Sequence, residues 1–359
     1  MADTSSRFRV TSDDLARFMR AALAAVGANE ASSEAVTRAL VKASRMGVDS
    51  HGLRLLPHYV KVLEGGRVKG APDMVFHQRL PATGFLDAAD GLGHLAGYTA
   101  MEHAVEMAGQ AGLGAVAVGN SSHFGAAGCY ALAAAERGYI GMAFCNSDPF
   151  VQLHDGQDAF HGTNPIAFAA PVAGAAPYLL DMATSSIPWN RVQQFGAIGR
   201  ELPNQVAARA DGQVSTDPRE VTSLLPLGGS DFGFKGAGLG GMVEILSSTL
   251  SGMQHGFNLL PMNGSDISTP RGVGHFFLAI KPDAFIEEGD FSRGLADYLT
   301  DLRRQSAIKG SHGIMAPGDR EWRCQTRRDA EGIPLDVANQ AAYAHIAHRY
   351  EITPLSPLT

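Results

Sequence analysis

Cysteine is scarce in this chain of 359 residues: Cys129, Cys145 and Cys324 stand far apart, and no Cys-x-x-Cys pair occurs. That spacing argues against a disulfide framework or a thiolate zinc site and leaves free thiols as the expectation. No run approaches the roughly 18 uninterrupted apolar residues of a membrane helix. The stretch 1–9 lacks the apolar centre of a secretory signal, so a cytoplasmic protein is expected. Positive charge is in deficit, with 29 Lys and Arg against 36 Asp and Glu, a net charge of −7 and a pI near 6.0. The basic footprint needed to bind nucleic acid is therefore missing, and small-molecule partners are expected instead. The 13 histidines are scattered without a His-Glu-x-x-His pattern, so no metal is expected. His154 and His161 flank the acidic stretch 154–158, which fits a solvated loop.

Also absent is a Gly-x-Gly-x-x-Gly fingerprint directly after the first strand, the usual mark of a dinucleotide-binding α/β chain. Residues 236–241, Gly-Ala-Gly-Leu-Gly-Gly, do match the pattern, but a turn precedes them rather than a strand. They fit a phosphate or ribose contact at a helix N-terminus backed by Lys235, and equally a tight turn entering a packed helix.

What is present suits a globular protein of roughly two domains: 45% of residues are hydrophobic, with 42 Gly and 18 Pro. Capping signals and apolar periodicity predict helices over 12–26, over 34–45 with Ser32 or Ser33 as cap, and over 52–63 capped by Asp49 and Ser50. Past Pro72 the texture changes to short β-rich runs at 84–87, 114–118, 140–145, 166–169 and 178–181, with Ala-rich helical stretches at 98–111 and 128–137 between them. A long helix over 239–252, a strand over 275–280, a helix over 291–306, a polar tail after Pro317 and a last helix over 334–348 complete a mixed α/β pattern.

The chemistry centres on residues 119–125, Gly-Asn-Ser-Ser-His-Phe-Gly, which place His123 in a serine-rich turn after the apolar run 115–118. A buried strand ending in such a turn can hold a proton acceptor still while a small molecule reaches it. Three other segments carry polar side chains of the same kind. They are 49–54, Asp-Ser-His-Gly-Leu-Arg, with Tyr59 farther along the element; 162–169 followed by 181–186; and 233–239, Gly-Phe-Lys-Gly-Ala-Gly-Leu.

With those four motifs in order, the chain resembles the malate/L-lactate dehydrogenases that are unrelated to the ordinary Rossmann enzymes, a group that includes ureidoglycolate and sulfolactate dehydrogenases and piperideine-2-carboxylate reductases. The resemblance runs from about residue 10 to 319. It implies a non-Rossmann cofactor domain over 73–292, with a mixed, largely antiparallel sheet flanked by helices, and a discontinuous helical substrate and oligomerisation domain from 1–72 with 293–359. It also implies an NAD-dependent or NADP-dependent oxidoreductase acting on a small 2-hydroxy or 2-oxo carboxylate, and a homodimer or dimer-based oligomer.

Carried over by the resemblance, His123 is the proton acceptor, Ser50 and His51 are its active-site partners, and Tyr59 and Arg54 contact substrate. Ser147, Asp181, Met182, Ala183 and Lys235 contact the cofactor. An unperturbed imidazole titrates near ~6.5, which suits proton removal from a secondary alcohol. Two positions and one stretch depart from the family. Position 55, where the family carries a carboxylate-clamping arginine, is Leu, and Arg54 comes one step early, about 100° around a helix. Asp148 follows Ser147 where ureidoglycolate enzymes carry a basic residue, which would disfavour a doubly acidic substrate. Residues 186–191 also differ from the family type. The competing expectations are a cyclic imino-acid reductase using NADPH and, from another class, a catalytically silent binding protein.

Overall fold

The computed structural model describes residues 8–311 and 313–358; most of the 1–9 stretch read for a targeting signal lies outside them. In chain order the helices are α1 (Ser12–Ala25), α2 (Glu30–Arg45), α3 (Leu56–Glu64), α4 (Gly93–Ala111), α5 (Gly128–Ala135), α6 (Trp189–Ala197), α7 (Gly229–Glu244), α8 (Asp290–Arg304), α9 (Asp319–Glu331) and α10 (Val337–Arg349). The strands are β1 (Arg9–Val10), β2 (Val75–Leu80), β3 (Thr83–Asp87), β4 (Leu113–Ser121), β5 (Ile140–Cys145), β6 (Val151–Gln152) and β7 (Ala159–His161). They continue with β8 (Ile166–Ala170), β9 (Tyr178–Met182), β10 (Ala207–Arg209), β11 (Val221–Leu224), β12 (Val273–Ile280) and β13 (Ile333–Pro334).

The main sheet has seven strands in the order β2-β3-β4-β12-β5-β8-β9, and only the β3–β4 pair is parallel. The fold is thus mixed α/β with a largely antiparallel sheet, as expected. Strand β12 enters late in the sequence yet lies at the sheet's centre, pairing β4 through Phe277↔Val116 and β5 through Phe277↔Ala143. Helices α4 and α5 pack on this sheet. Their Ala-rich, Gly-rich surfaces let the backbones approach closely, and the buried residues of the first core gather there, Met101, Val116, Tyr130 and Phe277 among them.

A second core joins α1, α2 and α3 to the end of the chain, with Leu15, Phe18, Leu40, Leu56 and Tyr59 packed beside Ile333, Tyr343 and Ile346. The short β1–β13 pairing stitches the two ends together. A small sheet, β10-β11-β6-β7, covers a third core around Val151, Ile187 and Leu224.

Several local expectations need correction. Helix α1 is capped by Thr11, whose side chain accepts from Asp14 N–H. Helix α2 starts at Glu30 behind Asn29, whose side chain accepts from Ser32 N–H, so Ser32 and Ser33 are buried within the helix. The third helix is not continuous from Gly52: 49–51 and 53–55 form two short 3₁₀ turns, and α3 begins only at Leu56, with Pro57 in its first turn. The polar tail after Pro317 holds α9, a helix unseen in the sequence because its apolar content is low. The glycines of 236–241 lie inside α7, so their amides do not open a helix N-terminus. Nor do they form a turn entering a helix; a Cβ on Gly236 would sit 2.3 Å from the Leu227 backbone nitrogen, so glycine there serves a close approach within α7.

Candidate active site

The His123 turn is braced from below and from the side. Phe124 is buried and stacks at 4.6 Å on the ring of His275, whose Nε2 is 2.8 Å from Ser121 Oγ. Ser122 Oγ donates to Gly91 O at 3.0 Å and accepts from Gly93 N–H at 2.9 Å, tying the turn to the start of α4. Gly125 adopts φ +73°, and a Cβ there would meet His94 Nε2 at 3.2 Å, so both backbone and space select glycine.

Three of the residues expected from the sequence, Tyr59, His51 and Ser50, gather at His123. Its Nδ1 is 2.7 Å from the hydroxyl of Tyr59, a fully buried side chain on α3. The His51 ring stacks on the His123 ring at 6.1 Å, and His51 Nδ1 is 2.8 Å from Ser50 Oγ. The first 3₁₀ turn carrying Ser50 and His51 is anchored from afar. Arg328 on α9 donates to Asp49 through Nη1 at 2.6 Å and Nη2 at 3.0 Å, and Nη1 also bonds Ser44 O. Arg54 is exposed on the second turn, with its charge felt by His51.

Burial and neighbouring rings hold these imidazoles neutral. His123 is pushed well below its usual 6.5, first by burial and then by the nearby histidines and Arg271. Burial takes His51 down to about 4, with Arg54 adding to it. His58, which the sequence reading passed over, lies 6.5 Å from the His123 ring centre and is brought to about 4 by burial and then by Arg271. His94 sits edge-on to Tyr59 and is lowered to about 3 by burial, while the Tyr59 hydroxyl is raised well above 10. A cluster of neutral imidazoles beside a phenol that stays protonated is equipped to take up a proton.

This arrangement carries a stability prediction. His94 and His275 are fully buried and reach only about 3, whereas unfolded histidines titrate near ~6.5. As pH falls from about 6.5 toward 3 the unfolded chain takes up protons that the native state refuses, so stability present above pH ~6.5 drains away below it. Each buried ring contributes at most about 1.4 kcal/mol per pH unit. Calorimetry should find Tm falling between pH 7 and 5, with a shallower fall in His94→Leu. A Tm constant over that interval would contradict the buried, neutral assignment.

The residues expected to touch a cofactor are spread around the rim. Ser147 Oγ accepts from Thr163 N–H at 3.1 Å, while its backbone N–H donates to Asn164 Oδ1 at 3.2 Å. Behind them lies buried Glu244, absent from the sequence reading, which accepts from Asn146 Nδ2 at 3.3 Å and Asn164 Nδ2 at 2.9 Å and so locks both loops to α7. Asp181 Oδ2 accepts from Gly128 N–H at 2.8 Å at the start of α5, directly after the His123 turn. Met182 and Ala183 follow it, partly buried, at the end of β9. Lys235 is exposed on α7, its ammonium 5.2 Å and 5.9 Å from the Phe232 and Phe234 ring centres, with no contact to the His123 cluster among the described residues. Asp148 does not present the free carboxylate expected of it, because Arg271 Nη2 donates to its Oδ1 at 2.6 Å. No group of three or more metal-ligating side chains occurs among the described residues.

The cluster of buried imidazoles stands at the end of a strand in a mixed, largely antiparallel sheet that is not doubly wound. The chain belongs to the malate/L-lactate dehydrogenase family, whose pattern matches residues 10–342. It is 35% identical over 345 residues to malate dehydrogenase of Pyrococcus abyssi (strain GE5 / Orsay), covering 93% of this chain and 94% of that one. It is 29% identical over 327 residues to NAD(+) ureidoglycolate dehydrogenase of Escherichia coli (strain K12), covering 91% and 92%. Among solved structures, malate dehydrogenase from Entamoeba histolytica superposes with a TM-score of 0.91 at 30% identity over 96% of this chain and 98% of that one. Delta1-piperideine-2-carboxylate reductase from Pseudomonas syringae pvar. tomato gives 0.84 at 28% identity over 96% and 99%. The protein is accordingly a hydroxy-acid dehydrogenase that works with a nicotinamide cofactor. No helix among the described residues is long and apolar enough to cross a membrane.

Proposed function

We propose that this dehydrogenase oxidises a small 2-hydroxy acid of the malate, lactate or ureidoglycolate type, and reduces the matching 2-oxo acid, using NAD in the cytosol. The observation that carries the reading is the 2.7 Å bond between Tyr59 Oη and His123 Nδ1. Nδ1 also faces the Gly125 N–H at 3.4 Å, a long contact beside the 2.7 Å one; in the tautomer where Nδ1–H donates to the tyrosine oxygen and that long contact is given up, the Nε2 lone pair is left to receive the substrate hydroxyl proton. His51, held by Ser50, lies roughly parallel to that ring with the ring centres 6.1 Å apart. In the reducing direction the same Nε2 returns its proton to the carbonyl oxygen.

The donor set on the rim fits a nicotinamide dinucleotide. Lys235 has no carboxylate partner among the described residues and offers a cation for phosphate. Ser147 keeps its hydroxyl proton to donate, and Asp181 keeps Oδ1 to accept from a ribose or amide group. When bound, the nicotinamide ring supplies the hydride acceptor or donor. Phe232, Phe234, Met242, Ile245 and Leu250 are exposed on α7 and the turn after it, which supports a homodimer through this region. We read 1–72 with 293–359 as the helical unit and 73–292 as the cofactor unit.

Turnover followed at 340 nm with NADH or NADPH against a panel of 2-oxo acids tests this function. Oxo-acid reduction with a preference for NADH is the expected result. The resemblance to a piperideine-2-carboxylate reductase favours one second reading, reduction of a cyclic imino acid with NADPH. Activity on a cyclic imine and on no oxo acid would decide for it.

A further inference from the structure

Position 55 supplies no guanidinium to this site, since it holds Leu55. Another guanidinium is buried nearby. Arg271 is 7% exposed, Arg67 3% and Asp148 6%, and all three hold the loop 260–271 in place. Arg271 Nε donates to Leu260 O at 2.7 Å and Nη2 to Asp148 Oδ1 at 2.6 Å, while Asp148 Oδ2 accepts from Met262 N–H at 3.0 Å. Arg67 is spent on backbone carbonyls, those of Pro261 and Met262 at 3.3 Å and that of Asp266.

Two buried guanidiniums, Arg67 and Arg271, therefore share one buried carboxylate, Asp148, while the other buried carboxylate of this region, Glu244, is taken up by Asn146, Asn164 and the Gly256 amide. His58 beside the guanidiniums stays neutral at ordinary pH. The carboxylate of Asp266 is exposed, accepts from the Ser268 and Thr269 amides through Oδ1, and offsets Arg67 from the surface, where water weakens it. A buried charge without a counter-charge is costly, and an incoming anion relieves that cost. Arg271 also retains an unused donor group, because Nη1 has no acceptor among the described residues and is not among the sealed, unpartnered atoms. Val273 pairs with Ser121 where antiparallel β12 and β4 meet, so Arg271 and His123 each stand two residues beyond that pair at the same end of the ladder, and the charge of Arg271 bears on both His58 and His123.

We propose that Arg271, aimed by Asp148 and Leu260, is the residue that binds the substrate carboxylate and so decides the enzyme's preference for acids. Asp148 acts through Arg271 as a positioning residue and does not repel acidic substrates. This proposal rests on the oxo-acid reading above.

The test compares wild type with the double variant Asp148→Leu, Arg271→Met, which removes the ion pair as a unit. Each is assayed with NADH on a 2-oxo acid and on its uncharged methyl ester. Wild type should favour the acid by about 10²-fold in kcat/KM, and the double variant should lose that preference through a KM raised about 10²-fold for the acid alone. Affinity for NADH should stay within about twofold. Arg271→Lys, which retains charge but not the fork, should fall between the two and serves where the double variant does not fold. A double variant that keeps the preference, or loses acid and ester alike, overturns the assignment to Arg271 while leaving the oxo-acid function intact. A wild type that reduces no 2-oxo acid overturns the underlying function and this proposal with it.

Discussion

Alanine at position 123 is expected to lower turnover by about 10² to 10⁴, with cofactor affinity little changed. The size follows from what is lost. The Nε2 acceptor disappears, and the other imidazoles are ill placed to replace it: His51 is held by Ser50 through Nδ1, and His94 is sealed in the interior. The fold should survive, because His123 is only partly buried and the platform beneath it is made by Phe124, His275, Tyr130 and Phe277. Stopped-flow turnover with fluorescence titration of NADH checks both halves. Near-wild-type turnover would remove His123 from the reaction. Because burial holds that ring well below 6.5, the acid limb of kcat/KM for alcohol oxidation in wild type should also lie below pH 6.5.

The second large effect belongs to stability. Gly274 lies in central strand β12, where a Cβ would stand 1.8 Å from the carbonyl oxygen of Ser247 and 2.6 Å from Ser251 Oγ. Ser247 is in the π turn 245–249 that follows α7, and Gly274 N–H donates to Asn146 Oδ1 at 3.2 Å, one residue before Ser147. Alanine would have to push a backbone segment aside, since no flexible side-chain end alone can yield. Gly274→Ala should cost about 3 kcal/mol or more, read from chemical denaturation at unchanged m-value, or should prevent folding outright. An alanine variant with wild-type stability would show that the 245–249 turn has room to move.

Much of the architecture was legible because the physics that produces it is local. The run at 114–118 became the core of β4, and the Ala-rich stretches became α4 and α5, where small side chains meet the sheet. Local signals misled where tertiary contacts decide. Asn29 caps α2 in place of Ser32 or Ser33, because the chain turns before the apolar period begins. Helix α9 has almost no apolar stripe and is held by ion pairs, Arg45–Asp329 and Arg303–Asp319 at 2.6 Å each and the link from Arg328 to Asp49, which spacing along the chain cannot disclose.

The site divides the same way. His123, Tyr59, His51 and Ser50 were readable because each sits in a short polar motif bounded by glycine or apolar residues. The buried partners Glu244, Arg271 and His58 carry no motif. Arg271 is 123 positions from Asp148, and an isolated arginine in a Gly/Pro-rich loop resembles any surface residue. The sequence signal available in retrospect was the vacancy at position 55, which asks where else a guanidinium comes from.

The bond from Arg328 back to Asp49 spans 279 positions. During synthesis the imidazole partner at 51 has no fixed seat until nearly the whole polypeptide has emerged and its last helices have docked. A ribosome-stalled chain ending before α9 would hold the finished sheet and the His123 turn yet be catalytically idle, so activity arrives only with the final tenth of the molecule.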